Sequence, residues 1–210
     1  MKFIDYFSPE KDIIKEKFNT IPYMDVWISS IVEGYIYEKV KKVDKKGCKE
    51  EYTERYGKKE GEYKTWYKNG KIWAQCYYKE GKLEGEYKRW YDNGQLGCQS
   101  YYKEGKKDGE AKSWGDNGKL RSQRYYKEDK LEGEYKQWHH NGKIWAQCYY
   151  KEGKLEGEYK RWYDNGQFGC QSYYKEGKLE GELKWWYREG KLIEHKLYTG
   201  DVVIEDFLKN

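Results

Sequence analysis

From Gly61 onward the chain alternates apolar and polar positions in short runs, broken by glycine at fixed intervals. In GEYKTWYKNGKIWAQCYYKEGKLE, Gly61 to Glu84, the alternation has the period of two that marks half-buried strands, and no helical period competes with it. EYKTWYK and KIWAQCYY read as two strands joined by Asn69-Gly70. Asn-Gly between β-rich runs predicts a two-residue hairpin loop of type I′, because both residues tolerate positive φ. A second turn, Lys79 to Leu83 around Gly81, carries the chain onward, so the expected product is an antiparallel meander. The two-residue loop would set Tyr67 opposite Ile72, Trp66 opposite Trp73, Thr65 opposite Ala74 and Tyr63 opposite Cys76. Tyr63, Tyr67, Ile72, Ala74, Cys76 and Tyr78 then form the drier face. Glu62, Lys64, Trp66, Trp73, Gln75 and Tyr77 form a mixed aromatic and polar one.

The same phrase returns. Units begin at Gly61, Gly85, Gly109, Gly133, Gly157 and Gly181, a strict 24-residue period, with Trp66, Trp90, Trp114, Trp138, Trp162 and Trp186 in one phase. Such a period signals an array in which each unit buries its face against its neighbours. Two strands per unit, at about 4.8 Å each, advance an array by about 10 Å per repeat, which predicts a rod. Gly61 to Glu132 is repeated 72 residues later, with drift at its C-terminal end.

Both ends depart from the pattern. Residues 1–55 read as an N-terminal capping region, with Ser8-Pro9-Glu10 as a helix start and a short helix near 9–20. Residues 56–200 form the array. In 201–210, DVVIEDFLK replaces the usual turn with Val202, Val203, Ile204, Phe207 and Leu208, as a C-terminal cap would. The expected fold class is mainly β: an elongated single-layer antiparallel meander of hairpin repeats with a small α/β N-terminal cap.

Composition narrows the function classes. With 25 Tyr and 10 Trp among 210 residues, the chain fills its thin core with rings that keep one polar edge wet. A mean hydropathy of −1.30 would otherwise point to disorder. The net charge of +5 is spread so evenly that no basic stripe arises, and nucleic acid is not an expected partner. MKFIDYFSPEKDIIKEKF offers no signal-like apolar run, so a soluble cytoplasmic chain is expected. Five cysteines without metal-ligand spacing speak against zinc and against a disulfide framework. His139 and His140 are strand neighbours pointing to opposite faces and so do not share a metal; with His195, they read as ordinary substitutions. No Ser or Cys has a positioned base, and the carboxylates form no distinguishing pair. No enzyme, no cofactor and no metal is expected.

The phrase GEYKxWYxNGK, then a strand, then YYKEGKLEG and the next copy, resembles the MORN repeat in its longer bacterial variant, found in antitoxin-like proteins. The resemblance runs from Gly61 to about Tyr198. It implies an elongated sheet of hairpins and a role in protein binding, scaffolding or toxin neutralisation, with membrane and phosphoinositide association in eukaryotic relatives. Some such arrays sit beside a lipid kinase domain. This chain has no Gly-rich phosphate loop and no metal-binding Asp motif, so that activity does not carry over.

The candidate binding surface is aromatic and basic: Trp66, Trp73, Arg89, Trp90, Tyr91, Trp138, Trp145, Arg161, Trp162 and Tyr163, residue types that dominate protein interfaces. The expected partner is a protein, with a toxin or the neighbouring gene product as first suspect; the chain itself is expected to be a monomer or to associate through sheet edges. The alternative is a peripheral membrane or phosphoinositide-binding adaptor, for which Lys39 to Lys49 is the nearest basic cluster. Carbohydrate binding on aromatic platforms is a third class.

Overall fold

The computed structural model describes residues 38–209. The helix expected near 9–20 lies outside the described residues. The chain divides into two compact units, one up to Glu84 and one from Gly85. In the first, β1 (Glu38–Val43), β2 (Lys49–Arg55), β3 (Lys58–Trp66) and β4 (Ile72–Lys79) pair in sequence order, all antiparallel. Residues 38–55 therefore extend the meander backward by one hairpin.

Strand β5 (Lys82–Trp90) begins just before the division. It is followed by β6 (Leu96–Lys103), β7 (Lys106–Trp114), β8 (Leu120–Lys127), β9 (Lys130–Leu131), β10 (Gly133–Trp138) and β11 (Ile144–Lys151). Then come β12 (Lys154–Leu155), β13 (Gly157–Trp162), β14 (Phe168–Lys175), β15 (Lys178–Leu179), β16 (Gly181–Trp186), β17 (Leu192–Thr199) and β18 (Val202–Asp206). Within the second unit every pairing is antiparallel and between neighbours, with β9–β10, β12–β13 and β15–β16 each acting as one interrupted strand. The expected hairpin meander is the fold.

The Asn-Gly turn differs from the expected type. At Asn69-Gly70 only the glycine has positive φ, 80°. The Tyr67 N–H donates to the Lys71 carbonyl at 2.9 Å, and the Gly70 N–H donates to the Tyr67 carbonyl at 2.9 Å. The loop is thus Lys68-Asn69-Gly70, a type I turn closed by a left-handed glycine, not a two-residue type I′ loop. The Asn69 side chain locks it by accepting from the Lys71 N–H at 3.0 Å. The paired positive φ of type I′ occurs instead at Glu80 (51°) and Gly81 (79°), and again at Glu104-Gly105, Glu152-Gly153 and Glu176-Gly177.

The longer loop corrects the register beside it. Thr65 still pairs with Ala74 and Tyr63 with Cys76, but Trp66 pairs with Ile72 after a bulge. Trp66 does not face Trp73; Trp73 lies against Tyr67, ring centroids 6.3 Å apart. The second unit repeats this, with Trp138 opposite Ile144 and His139 beside Trp145 at 6.4 Å.

A second irregularity explains the glycine that opens each unit. Ser100 pairs with Ala111 and Tyr102 with Lys107, so the stretch Asp108-Gly109-Glu110 carries two residues more than its partner strand. A two-residue bulge preserves the in/out alternation while bending the strand, and Gly109 sits in it at φ 113°.

The core is shallow. Ala146, Cys148, Cys170 and Ser172 are buried, shielded by tyrosine pairs that meet edge to face, Tyr135–Tyr150 at 5.8 Å and Tyr159–Tyr174 at 6.2 Å. Thr65, Ala74 and Cys76 are buried in the same way beside Tyr63 and Tyr78. The dry face assigned to Tyr63, Ala74, Cys76 and Tyr78 is therefore the core face. Each ring pair contributes about 0.5–1.5 kcal/mol beyond its buried area.

Both margins of the sheet are laced from repeat to repeat. At the three-residue loops, the Tyr91 hydroxyl donates to the Trp114 carbonyl at 2.9 Å, and Asn93 Nδ2 donates to the Asp116 carbonyl at 2.7 Å. Tyr163 and Asn165 do the same to Trp186 and Arg188. At the type I′ turns, the Glu132 carboxylate accepts from the Glu152 N–H at 2.7 Å, and the Leu131 carbonyl accepts from the Gly153 N–H at 2.8 Å. That bond compensates for holding glutamate in the left-handed region, which costs a non-glycine residue about 1–2 kcal/mol.

Candidate functional site

Opposite the core, five of the six repeats build the same four-residue cluster, and the sixth has His195 and Leu197 in place of its glutamine and tyrosine. Glu158 on β13 accepts from Lys160 at 2.5 Å on one oxygen and from Gln171 Nε2 on β14 at 2.7 Å on the other, and Tyr173 stands beside them. Alternation puts all four on one face, because Glu158 pairs with Tyr173 and Lys160 with Gln171. The cluster recurs as Glu134, Lys136, Gln147 and Tyr149, and as Glu110, Lys112, Gln123 and Tyr125. It recurs again as Glu86, Lys88, Gln99 and Tyr101. In the first unit it is Glu62, Lys64, Gln75 and Tyr77.

Hydrogen bonds from the lysine and glutamine hold the Glu62, Glu86 and Glu158 carboxyls below the usual range, against an opposing push from burial. At Glu110 burial is the largest influence and acts upward, yet bonds from Lys112, Gln123 and Tyr125 outweigh it and the carboxyl is again lowered. These carboxylates stay ionised and engaged at neutral pH. They are unsuited to holding a proton for general acid chemistry. The surface is locally neutral, and its apolar element is a row of rings: Tyr101 and Tyr125 at 38% exposure, Tyr149 at 48% and Tyr173 at 53%. A cleft of about 500 Å³ opens between neighbouring repeats, lined by Glu134, Gln147, Tyr149, Glu158, Lys160 and Tyr173.

The residues singled out from sequence do not gather into one site. Trp66, Trp90, Trp138 and Trp162 are half-buried and pair with Ile72, Leu96, Ile144 and Phe168. Trp162 also belongs to a stack in which Phe168 touches it at 5.1 Å and Trp186 at 5.7 Å. Trp73 and Trp145 are exposed beside the loops. Arg161 sits on the core face with its guanidinium 5.0 Å from the Trp185 ring. Tyr163 packs against Gly169, where an added Cβ would lie 3.2 Å from its ring. Arg89 and Tyr91 are brought together, on a cleft of about 520 Å³ shared with Gly97, Trp114, Gly115 and Arg121. The exposed tyrosine row was not singled out. Its signal was present in the assignment of Tyr77 to the wetter face, but tryptophan drew attention as the larger ring.

His139 takes the place of Tyr91 and Tyr163, its Nε2 donating to the Trp162 carbonyl at 2.9 Å, and His140 bonds Arg121. His195 Nε2 lies 3.4 Å from the Glu182 carboxylate. Among the described residues no group of His, Cys, Asp and Glu could hold a metal ion. All five cysteines are free, and burial pushes the Cys76 and Cys148 thiols up to about 11, which keeps them protonated and unreactive at neutral pH. No described helix is long and apolar enough to cross a membrane.

No curated protein matches the chain. Among solved structures, S. aureus TarM, as a mutant in complex with Fondaparinux, alpha-GlcNAc-glycerol and UDP, shares 13% identity at a TM-score of 0.20. The match covers 84% of this chain and 27% of that one. A second TarM structure shares 13% identity at a TM-score of 0.18, over 81% of this chain and 25% of the other. Both scores are too low to carry an argument, and the chain spans about a quarter of those proteins' length. The family comparison is of another kind. The MORN repeat variant matches at residues 59–80, 83–104, 107–128, 131–152, 155–167 and 179–199, together more than half of the chain. The first four of those segments each hold a three-residue loop, a bulge glycine and a complete four-residue cluster, and with more than half of the chain matched the chain belongs to the MORN repeat variant family.

Proposed function

We propose that this chain is a non-catalytic binding protein that presents the Tyr101, Tyr125, Tyr149 and Tyr173 row to a protein partner. The observation that carries the reading is the row itself: large rings standing exposed in register, over a floor whose charges are already paired. Rings of this kind supply binding energy at low entropic cost, and a neutral floor imposes little desolvation penalty. The finer assignment, neutralisation of a toxin encoded nearby, draws on the family alone, as does action inside the cell. Residues 1–55 and 201–210 serve in this reading as caps that close the array.

Affinity capture from the native cell, run in parallel with the wild-type chain and with Tyr149→Ser/Tyr173→Ser, tests it. The same protein should be recovered reproducibly with the first and lost with the second; equal recovery would overturn the assignment of the face. Growth rescue on co-expression with the neighbouring gene product tests the antitoxin role. The membrane reading has less support, because Lys112, Lys136 and Lys160 are paired with glutamates on their own strand. The chain should fail to float with anionic liposomes at low salt.

A further inference from the structure

The spacing and bonding of the tyrosine row restrict what its partner can present. Tyr149 lies on β11 and Tyr173 on β14, with β13 paired between them. Equivalent rings are thus two strands apart, or about 9.6 Å at ordinary strand spacing. A polyproline II helix completes one turn in three residues and about 9.3 Å. Laid along the row, it would set every third residue over a tyrosine.

The hydrogen-bonding floor makes the same selection. Glu158 is engaged through both oxygens by its lysine and glutamine, and Glu134 through Oε1 by both of its own. Gln99 and Gln123 spend both amide hydrogens, one on the glutamate and one on the Tyr101 or Tyr125 hydroxyl at 3.3 Å. Gln147 and Gln171 spend one on Glu134 and Glu158, leaving a second N–H, and Lys136 and Lys160 retain further N–H groups. The floor beside Tyr149 and Tyr173 therefore offers several donors against one open carboxylate oxygen, Glu134 Oε2, and these are also the two most exposed rings of the row. A ligand suited to it carries carbonyl acceptors and few N–H groups of its own. Proline-rich backbone has that character, since proline has no N–H, and its stiffness lowers the entropy lost on docking. The floor's paired charges match an uncharged segment.

We propose that the face around Tyr149 and Tyr173 receives a proline-rich segment of a partner protein in the polyproline II conformation, one turn per repeat. This rests on the reading of that face as a protein-binding surface. Sheet twist rotates neighbouring strands by about 20–25°, or about 40–50° per repeat, so the match holds over two neighbouring repeats, a segment of about six residues.

Fluorescence anisotropy with the purified full chain tests it, using a labelled, end-blocked nonaproline peptide and, as control, a nonapeptide of alternating glycine and serine. The nonaproline should bind and the control should not, and affinity should rise from three to six prolines and little further to nine. Tyr149→Ser/Tyr173→Ser should weaken binding by about tenfold or more while leaving the circular dichroism spectrum unchanged, since both rings are exposed. Binding indifferent to the tyrosines, binding equal to the control, or tyrosine-dependent binding of a β-linked glucose hexasaccharide in place of nonaproline would overturn the proposal. If nonaproline fails while cellular capture remains tyrosine-dependent, only the ligand chemistry is wrong. If both fail, the protein-binding face is wrong as well.

Discussion

Two neighbouring repeats, Gly85 to Asp108 and Gly109 to Glu132, reach the same hairpin with the bulk on opposite strands. In the first, Tyr87 pairs with Ser100, and Gly97 leaves room for the Tyr91 ring. In the second, Ala111 pairs with Arg124, and Gly115 leaves room for the Arg121 guanidinium. The Arg124 guanidinium then covers the Tyr135 ring at 5.5 Å and bonds Ser122 at 2.9 Å. What is held constant is the volume of each facing couple and not the residue at either position, as packed cores require.

Breaking that complementarity should be costly. Ala111→Tyr sets a second large side chain opposite Arg124 and should cost about 2 kcal/mol in urea unfolding. Adding Arg124→Ser should recover most of it, because the couple then becomes that of the preceding repeat. Strictly additive losses in this cycle would refute the exchange of bulk.

The two glycines sharpen the comparison. An added Cβ at Gly97 would lie 3.1 Å from the Tyr91 ring and 3.3 Å from the Arg89 carbonyl, neither of which yields easily. Gly97→Ala should therefore lower stability by about 1 kcal/mol. At Gly115 the nearest atoms, at 2.8 Å, are Arg121 Nε, which can swing away, and Asn117 Oδ1, which accepts from the Lys119 N–H at 3.1 Å and locks the loop. Gly115→Ala should therefore cost about 0.5–1 kcal/mol, and Asn117→Ala in the same background should add little further loss.

The turns differ in the same pair of repeats. Glu104-Gly105 gives way to Glu128-Asp129, with Asp129 at φ 67° and its carboxylate accepting from the Lys107 N–H at 2.8 Å. Asp129→Ala keeps the strained backbone but loses the bond, and should cost about 1 kcal/mol. Asp129→Gly removes strain and bond together and should stay within about 0.5 kcal/mol of wild type. Equal losses for the two would show that the strain contributes nothing.

The smallest effect concerns what the repeats share. Glu86 and Glu110 both have lowered pKa values in the folded chain. Their contribution is present above the unfolded carboxyl range, near pH 4.3, and is lost as pH falls through the lower folded values. Their side chains are 35% and 27% exposed and open to solvent on one side, so screening keeps the contribution small. Glu86→Gln and Glu110→Gln should flatten the fall in stability below about pH 4.5 to a similar degree, followed by thermal unfolding across pH.

Strands, period and core face were legible in the sequence because alternation and recurrence report burial directly. The loop class was not. Asn69-Gly70 suits a type I′ loop and also a type I turn closed by glycine, since both need Gly70 left-handed. Only the residue that closes the pairing separates them, and that choice decides whether Trp73 meets Trp66 or Tyr67. The bulge escaped because Gly61, Gly85 and Gly109 read as boundaries between units, whereas they bend strands from within. The type I′ turns escaped because Glu80 has no intrinsic preference for positive φ. What stabilises such a turn is a carboxylate twenty residues upstream, Glu60 onto the Glu80 N–H at 2.7 Å. The tyrosine row was legible in position but not in exposure, which depends on how far each ring leans onto its own glutamate.

The bonds that lace one repeat to the next have a genetic consequence. Each ends on a backbone carbonyl or N–H of the neighbouring repeat, reached by a side chain as Tyr91 reaches Trp114 and Glu132 reaches Glu152, or by backbone as Gly153 reaches Leu131. Every repeat offers that backbone in the same place whatever its side chains. A module can therefore dock on a neighbour it has never met, and unequal recombination in steps of one repeat can lengthen or shorten the gene without requiring matched mutations at the new junction. The duplication of Gly61 to Glu132 spans three such repeats.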